Sequence, residues 1–100
     1  MSIEVVDNPT LSRYEARVDG ICAGVAEYRL EGAVATVDHV EVAPEHRGRG
    51  MASALADGLL ADLRRRELRV RPRCPFLIGY LARHPEQHDL LAADGTGRRD

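Results

Sequence analysis

Val40-Glu41-Val42-Ala43-Pro44-Glu45-His46-Arg47-Gly48-Arg49-Gly50-Met51-Ala52 is the stretch in which this 100-residue chain changes character. Before it, apolar and polar residues alternate; after it, apolar residues recur every fourth position. A strand therefore runs into a short loop, and the loop opens a helix at Gly50. The first N–H groups of that helix have no partner inside it, and the helix dipole adds partial positive charge there. Glycines let the backbone approach a ligand closely, so the turn suits a phosphate or pyrophosphate, with Arg47 and Arg49 adding charge. The plainer reading is a glycine turn that joins strand to helix between two solvated arginines.

Upstream, residues 11 to 18 alternate and read as a strand, and Asp19-Gly20 is a hairpin turn. Residues 21 to 30 give a second strand, Glu31-Gly32 a second turn, and residues 33 to 42 a third strand. Ahead of this meander lies a short apolar run from Ile3 to Val6, broken by Asp7-Asn8-Pro9. Downstream, Met51, Leu55, Leu59 and Leu63 form one apolar helical stripe, with Ala52, Ala56 and Leu60 beside it. Asp62 and Arg66 are spaced to pair, and Arg64-Arg65-Arg66 suits the negative end of the dipole. Leu68 to Val70 reads as a strand ending at Arg71-Pro72. A second helix starts at Cys74, with Pro75 in the first turn, carries Leu77, Ile78 and Leu81 inward, and stops near His84-Pro85.

The expected class is α+β: a twisted, mostly antiparallel sheet of about four strands with flanking helices, in the order β-β-β-α-β-α. Residues 1–92 form the domain and residues 93–100 a polar, frayed C-terminal tail.

Composition narrows the function. The formal net charge of −2 gives no general pull toward nucleic acid or acidic membranes. No apolar run is long enough to span a bilayer, and Met1-Ser2-Ile3-Glu4 lacks the features of a signal peptide, so a cytoplasmic location is expected. All 14 basic residues are arginine, which excludes lysine chemistry and a phosphate loop ending in Gly-Lys-Ser/Thr. Cys22 and Cys74 are too few and too far apart for a disulfide framework or a zinc site, so no metal is expected. The arginines from Arg64 to Arg73 raise nucleic acid or an acidic partner as a second hypothesis, but few aromatics and no reader motif accompany them.

Glu45-His46-Arg47-Gly48-Arg49-Gly50, between strand and helix, resembles the Gln/Arg-x-x-Gly-x-Gly/Ala signature of the GNAT acetyltransferase superfamily. Glu45 departs from the usual Gln or Arg, whereas a backbone cradle does not depend on that side chain. Pro72-Arg73-Cys74-Pro75-Phe76 and Arg83-His84-Pro85-Glu86 resemble motifs of a small single-domain branch, the YjdJ-like minimal acetyltransferases, with Gln87 in place of a final Tyr. The resemblance covers about residues 33 to 90. It implies acetyl-CoA as co-substrate and transfer of its acetyl group to an amine acceptor, small molecule or protein. It also implies that Val40 and Val42 bind the pantetheine arm through their main chain. Arg47, Gly48, Arg49, Gly50, Met51 and Ala52 would hold the pyrophosphate. The alternative is a chain that binds acyl-CoA without turnover, as a sensor or subunit, because the branch lacks the early helices that help form an acceptor pocket.

The catalytic candidates are Cys74 and His39. Cys74 sits at a predicted helix N-cap near Arg71 and Arg73, the conditions that favour a thiolate, and its other reading is a small buried residue. His39 and Glu41 share one face of a strand, where either can accept a proton from an amine; the alternatives are a structural histidine and a solvated charge. Two routes stay open: an acetyl-cysteine on Cys74, or direct attack with His39 or Cys74 as base. Tyr80 falls where larger members of the superfamily place a tyrosine that protonates CoA, and also where a packing residue would serve. Cys22 reads as packing, His84 as a helix C-cap, and His46 and His88 as surface residues.

Overall fold

The computed structural model describes residues 2–93; the expected tail beyond Ala93 lies outside them. Five strands form one sheet in the order β1-β2-β3-β4-β5: β1 (Ile3–Asn8), β2 (Arg13–Val18), β3 (Ile21–Glu31), β4 (Val34–Val42) and β5 (Arg69–Pro72). The first four pair antiparallel as a meander, and β5 joins β4 in parallel after a helical crossover. The helices are α1 (Met51–Arg65) and α2 (Pro75–Ala82), with 3-10 turns at Pro44–His46 and Pro85–Leu90. The α+β class and the mostly antiparallel sheet are as expected, but the order starts one strand earlier. The run Ile3–Val6 is part of a full edge strand, paired from Ile3↔Val18 to Asn8↔Arg13. Pro9 ends it rather than forbidding it, because proline is tolerated where pairing stops. No helix among the described residues is long and apolar enough to cross a membrane.

The register assigns each face. Val5 and Ala16 lie opposite each other, as do Tyr14 and Ala26, and Ala26 and Val40. Residues directly opposite share a face, so these side chains lie with Val5, which abuts Gly58 of α1. Both helices cover this face. Leu55, Leu59, Leu60 and Leu63 of α1 and Leu77 and Leu81 of α2 bury against Tyr14, Ala16, Val37 and Val70. Ile78, expected inward, is half exposed because its neighbours Leu77 and Leu81 take the buried side of a two-turn helix. At one end of the core, Tyr14 donates to Asp62 at 2.5 Å and Tyr28 to Asp7 at 2.7 Å, and Arg66 bridges Asp7 and Asp62.

No helix among the described residues covers the other face, and polar side chains finish it. Glu15 is only 4% exposed there, yet it is not in an apolar setting. It accepts hydrogen bonds from Arg17 at 2.7 Å, Arg13 at 2.9 Å and Asn8 at 3.1 Å. The guanidinium of Arg17, then that of Arg13, holds its carboxyl down at about 2, against an ordinary 4.5. A carboxylate held below its unfolded value stabilises the native state fully above pH ~4.5, and that contribution disappears as pH falls through ~2. Glu15→Gln is therefore expected to cost about 2 kcal/mol at pH 7, a figure discounted because both arginines reach solvent. Urea melts across pH 2–6 check this: the gap between variant and wild type should close as pH drops, and a constant gap would disprove it.

Candidate active site

The glycine turn has the geometry the sequence suggested. Gly48 and Gly50 both take left-handed backbone, φ +79 and +75, on either side of Arg49. A side chain is strained there, so the alternation of conformations favours glycine at both positions. The first α1 bond runs from the Ala54 N–H to the Gly50 carbonyl at 3.0 Å. The amides of Met51, Ala52 and Ser53 precede it and have no acceptor within the helix. They surround an open depression of about 180 Å³ lined by Val42, His46, Arg47, Gly48, Gly50, Met51, Ala52 and Ser53. Nothing lies within 4 Å of where a Cβ would stand on Gly48 or Gly50, so the backbone is open to a ligand. These features fit the pyrophosphate of a CoA: free N–H groups, a helix N-terminus, two flanking arginines and room above the backbone.

Ser53 and His46 were not singled out by the sequence. Ser53 carries its own signal, as a residue of the first turn with a free amide. His46, expected at the surface, is half-buried, with Nδ1 enclosed and without a partner.

Beside the cradle the sheet forks. Strands β4 and β5 pair from Val34↔Arg69 to Val37↔Pro72, and a last rung runs from the Arg73 N–H to the Val37 carbonyl at 2.9 Å. Beyond it β4 continues for five more residues, Asp38 to Val42, while the chain after β5 turns into α2. A β-bulge at Asp38 sets two residues, Asp38 and His39, against one step of β3. The Ala43 N–H points back to the Ala23 carbonyl of β3 at 2.8 Å. Main-chain groups alternate sides along a strand, so those of Val42 and Val40 face away from β3, into the fork. The same two residues turn their side chains to the helices, and both are half-buried.

The two catalytic candidates stand on different sides of β4. Cys74 is the N-cap of α2, one residue past the last rung, 5% exposed and part of the core beneath the helices. His39 lies opposite Glu27 on the uncovered face, with a side chain 53% exposed. The two therefore do not form a Cys–His pair of the kind that activates a thiol. His39 Nε2 instead lies 3.2 Å from a carboxylate oxygen of Glu41.

Tyr80 is buried and donates to Asp57 of α1, and burial together with that bond pushes its hydroxyl up to about 12. It ties α1 to α2 and stacks on His84, with ring centroids 4.1 Å apart. His84 also pairs with Glu86 at 2.9 Å. Cys22, expected to pack, is exposed on the uncovered face opposite Arg17, beside the bulge between Ala16 and Arg17.

The arginine cluster is largely spoken for. Arg64 binds Asp89 at 2.6 Å and Gln87 at 2.9 Å, Arg65 pairs with Asp62, and Arg66 meets Asp7 and Asp62 at 3.1 Å each. Arg69 donates to the Asp89 carbonyl and Arg71 to Thr36. No group of three or more His, Cys, Asp or Glu that could hold a metal occurs among the described residues.

A mostly antiparallel sheet parted beside a glycine-lined helix N-terminus defines an α+β fold with an anion-sized cradle at its strand-to-helix junction. The sequence profile of the GCN5-related N-acetyl-transferase family matches residues 13–90. The chain belongs to that family. No curated protein matches it in sequence. Among solved structures, a GCN5-like protein from Staphylococcus aureus is similar at TM-score 0.67 and 17% identity, over 95% of this chain and 96% of that one. An Escherichia coli N-acetyltransferase for a ribosomal-protein alanine gives TM-score 0.56 and 21% identity over 60% of this chain, which spans only 39% of that enzyme. An aminoglycoside N-acetyltransferase in complex with CoA gives TM-score 0.50 and 20% identity, over 88% of this chain and 71% of that one.

Proposed function

We propose that this chain transfers an acetyl group from acetyl-CoA to an amine. The observation that carries the reading is the continuity of fork and cradle. Strand β4 leaves β5 after Val37 and leads, through the 3-10 turn at Pro44–His46, to Gly48 and Gly50, so one extended ligand would meet both. The main chain of Val40 and Val42 would bind the pantetheine arm. Arg47, Gly48, Arg49, Gly50, Met51 and Ala52 would hold the pyrophosphate, and Ser53 joins them through its amide. When bound, acetyl-CoA supplies an activated thioester carbonyl.

The division of β4 supports the roles proposed for the rest. The cradle lies on the helix side and His39 on the uncovered side, so an amine approaches from the uncovered face. His39 takes the proton that the amine loses as its lone pair attacks the carbonyl. Cys74 is held in the core, one residue past the last rung between β4 and β5; direct transfer is therefore the proposed route rather than an acetyl-cysteine. Tyr80, already donating to Asp57, is a packing residue in this scheme. The acceptor is a small molecule or a protein amine.

The test is turnover with purified variants. His39→Ala is expected to lower kcat by about 100-fold with acetyl-CoA affinity kept. Cys74→Ala should lower it by much less, and intact mass after mixing with acetyl-CoA alone should carry no acetyl group on Cys74. An acetylated Cys74 that reacts onward would replace direct transfer with the two-step route. Tight binding of acetyl-CoA without turnover on any amine would make the chain a binding module instead.

A further inference from the structure

We propose that Glu41 is a positioning residue that acts through His39, holding its imidazole in the one tautomer able to take a proton from the amine. The inference rests on the transferase reading above and adds a residue to its machinery. A carboxylate can only accept a hydrogen bond, so the 3.2 Å contact between His39 Nε2 and Glu41 Oε1 requires the proton to sit on Nε2. In the neutral ring that leaves Nδ1 as the free lone pair. The arrangement follows from the strand itself: side chains two apart share a face, and His39 and Glu41 both lie beyond the bulge, on the uncovered side of the fork.

The charged groups around the ring are few. Glu27 lies opposite His39 on β3, but its carboxyl makes no ion pair with the ring. Asp38, next along β4, is bound by Arg29 at 2.8 Å and feels Arg73 from the end of β5. Glu41 is the carboxylate that the ring engages. In the step proposed, the amine nitrogen forms its bond to the acetyl carbon, the carbon–sulfur bond breaks, and the sulfur leaves as a thiolate. His39 Nδ1 receives the amine proton, and the imidazolium so formed keeps its Nε2–H on the Glu41 carboxylate until it releases the proton to solvent, where the thiolate is neutralised. Glu41 never touches the amine.

Two measurements test this on the intact chain. In ¹⁵N long-range spectra of the histidine rings, at a pH where His39 is neutral, wild type should hold an almost pure Nε2–H form. In Glu41→Ala the two averaged nitrogen resonances should move toward each other. Identical spectra in both proteins would overturn the proposal and leave the transferase reading intact. In steady-state assays with spermidine or a lysine-containing peptide as acceptor, Glu41→Ala should lower kcat about tenfold, at unchanged KM for acetyl-CoA. Glu41→Gln, which still accepts from Nε2–H, should recover part of that loss. In a His39→Ala background the Glu41→Ala change should add nothing. Multiplying losses in the double variant, or an effect confined to the acceptor KM, would mean that Glu41 acts on its own and would overturn the proposal. No turnover by wild type on either acceptor, with acetyl-CoA bound, would defeat the transferase reading and this proposal together.

Discussion

Replacing Gly48 by glutamate should raise the dissociation constant for acetyl-CoA at least 100-fold while the protein stays folded. Two effects add. At φ +79 an L side chain is strained, costing about 1–2 kcal/mol in the turn. The carboxylate also enters the space above the backbone, where nothing lies within 4 Å at present and where a phosphate would sit. Like charges at that separation repel, and the loss of a tightly seated phosphate is worth more than the strain alone. Because the position has no protein neighbour to collide with, melting should move by only a few degrees. Calorimetric titration of acetyl-CoA into both proteins checks the prediction. Equal affinities would remove the phosphate from the turn, and a protein that no longer folds would move the importance of Gly48 to structure.

Gly58 makes the opposite prediction. It lies inside α1, where exchange for alanine ordinarily stabilises a helix by up to about 1 kcal/mol. Here a Cβ would stand 2.6 Å from the Cβ of Val5, and 2.7 and 2.8 Å from its two methyls. The atom in the way is anchored to the backbone of β1, so no rotamer change clears it. Gly58→Ala should therefore destabilise by about 2–3 kcal/mol net, because helix and edge strand must separate or shift. For a domain of this size that lowers Tm by roughly 10–20 °C. Thermal melts measure it directly. Placed in a Val5→Gly background, the same alanine should turn neutral or stabilising; a loss of equal size there would mean that the obstruction is not Val5.

That contact also explains what was legible in the sequence. The helix α1 was plain, since Met51, Leu55, Leu59 and Leu63 recur every fourth residue, and the hairpins were marked by Asp19-Gly20 and Glu31-Gly32. The strand β1 was not, because its apolar residues are few and its place at the edge depends on Gly58 letting α1 approach, a relation across more than 50 positions. Within the site, the cradle could be read because all its parts are local: two glycines, their flanking arginines and a helix start. The fork could not, because it depends on where β5 stops relative to β4. The same holds for Cys74 and His39. Each stands out singly in the sequence, but only the folded sheet puts one beneath the helices and the other on the uncovered face. Cys22 failed for a related reason, since only the pairing of β2 with β3 sets Arg17 opposite it.

The bulge at Asp38 has a meaning for how β4 can change in length. The strand is written in two frames: up to Val37 its odd-numbered residues face the helices, and from Val40 its even-numbered ones do. The extra residue is the hyphen between them. Loss of that one residue would be absorbed, since the two frames would simply merge. A single residue gained or lost between His39 and Val42 would turn the end of the strand over, sending His39 or Glu41 under the helices and a valine into water. Strand β4 thus has one place where a residue can be lost without turning its end over, and it lies at the mouth of the fork.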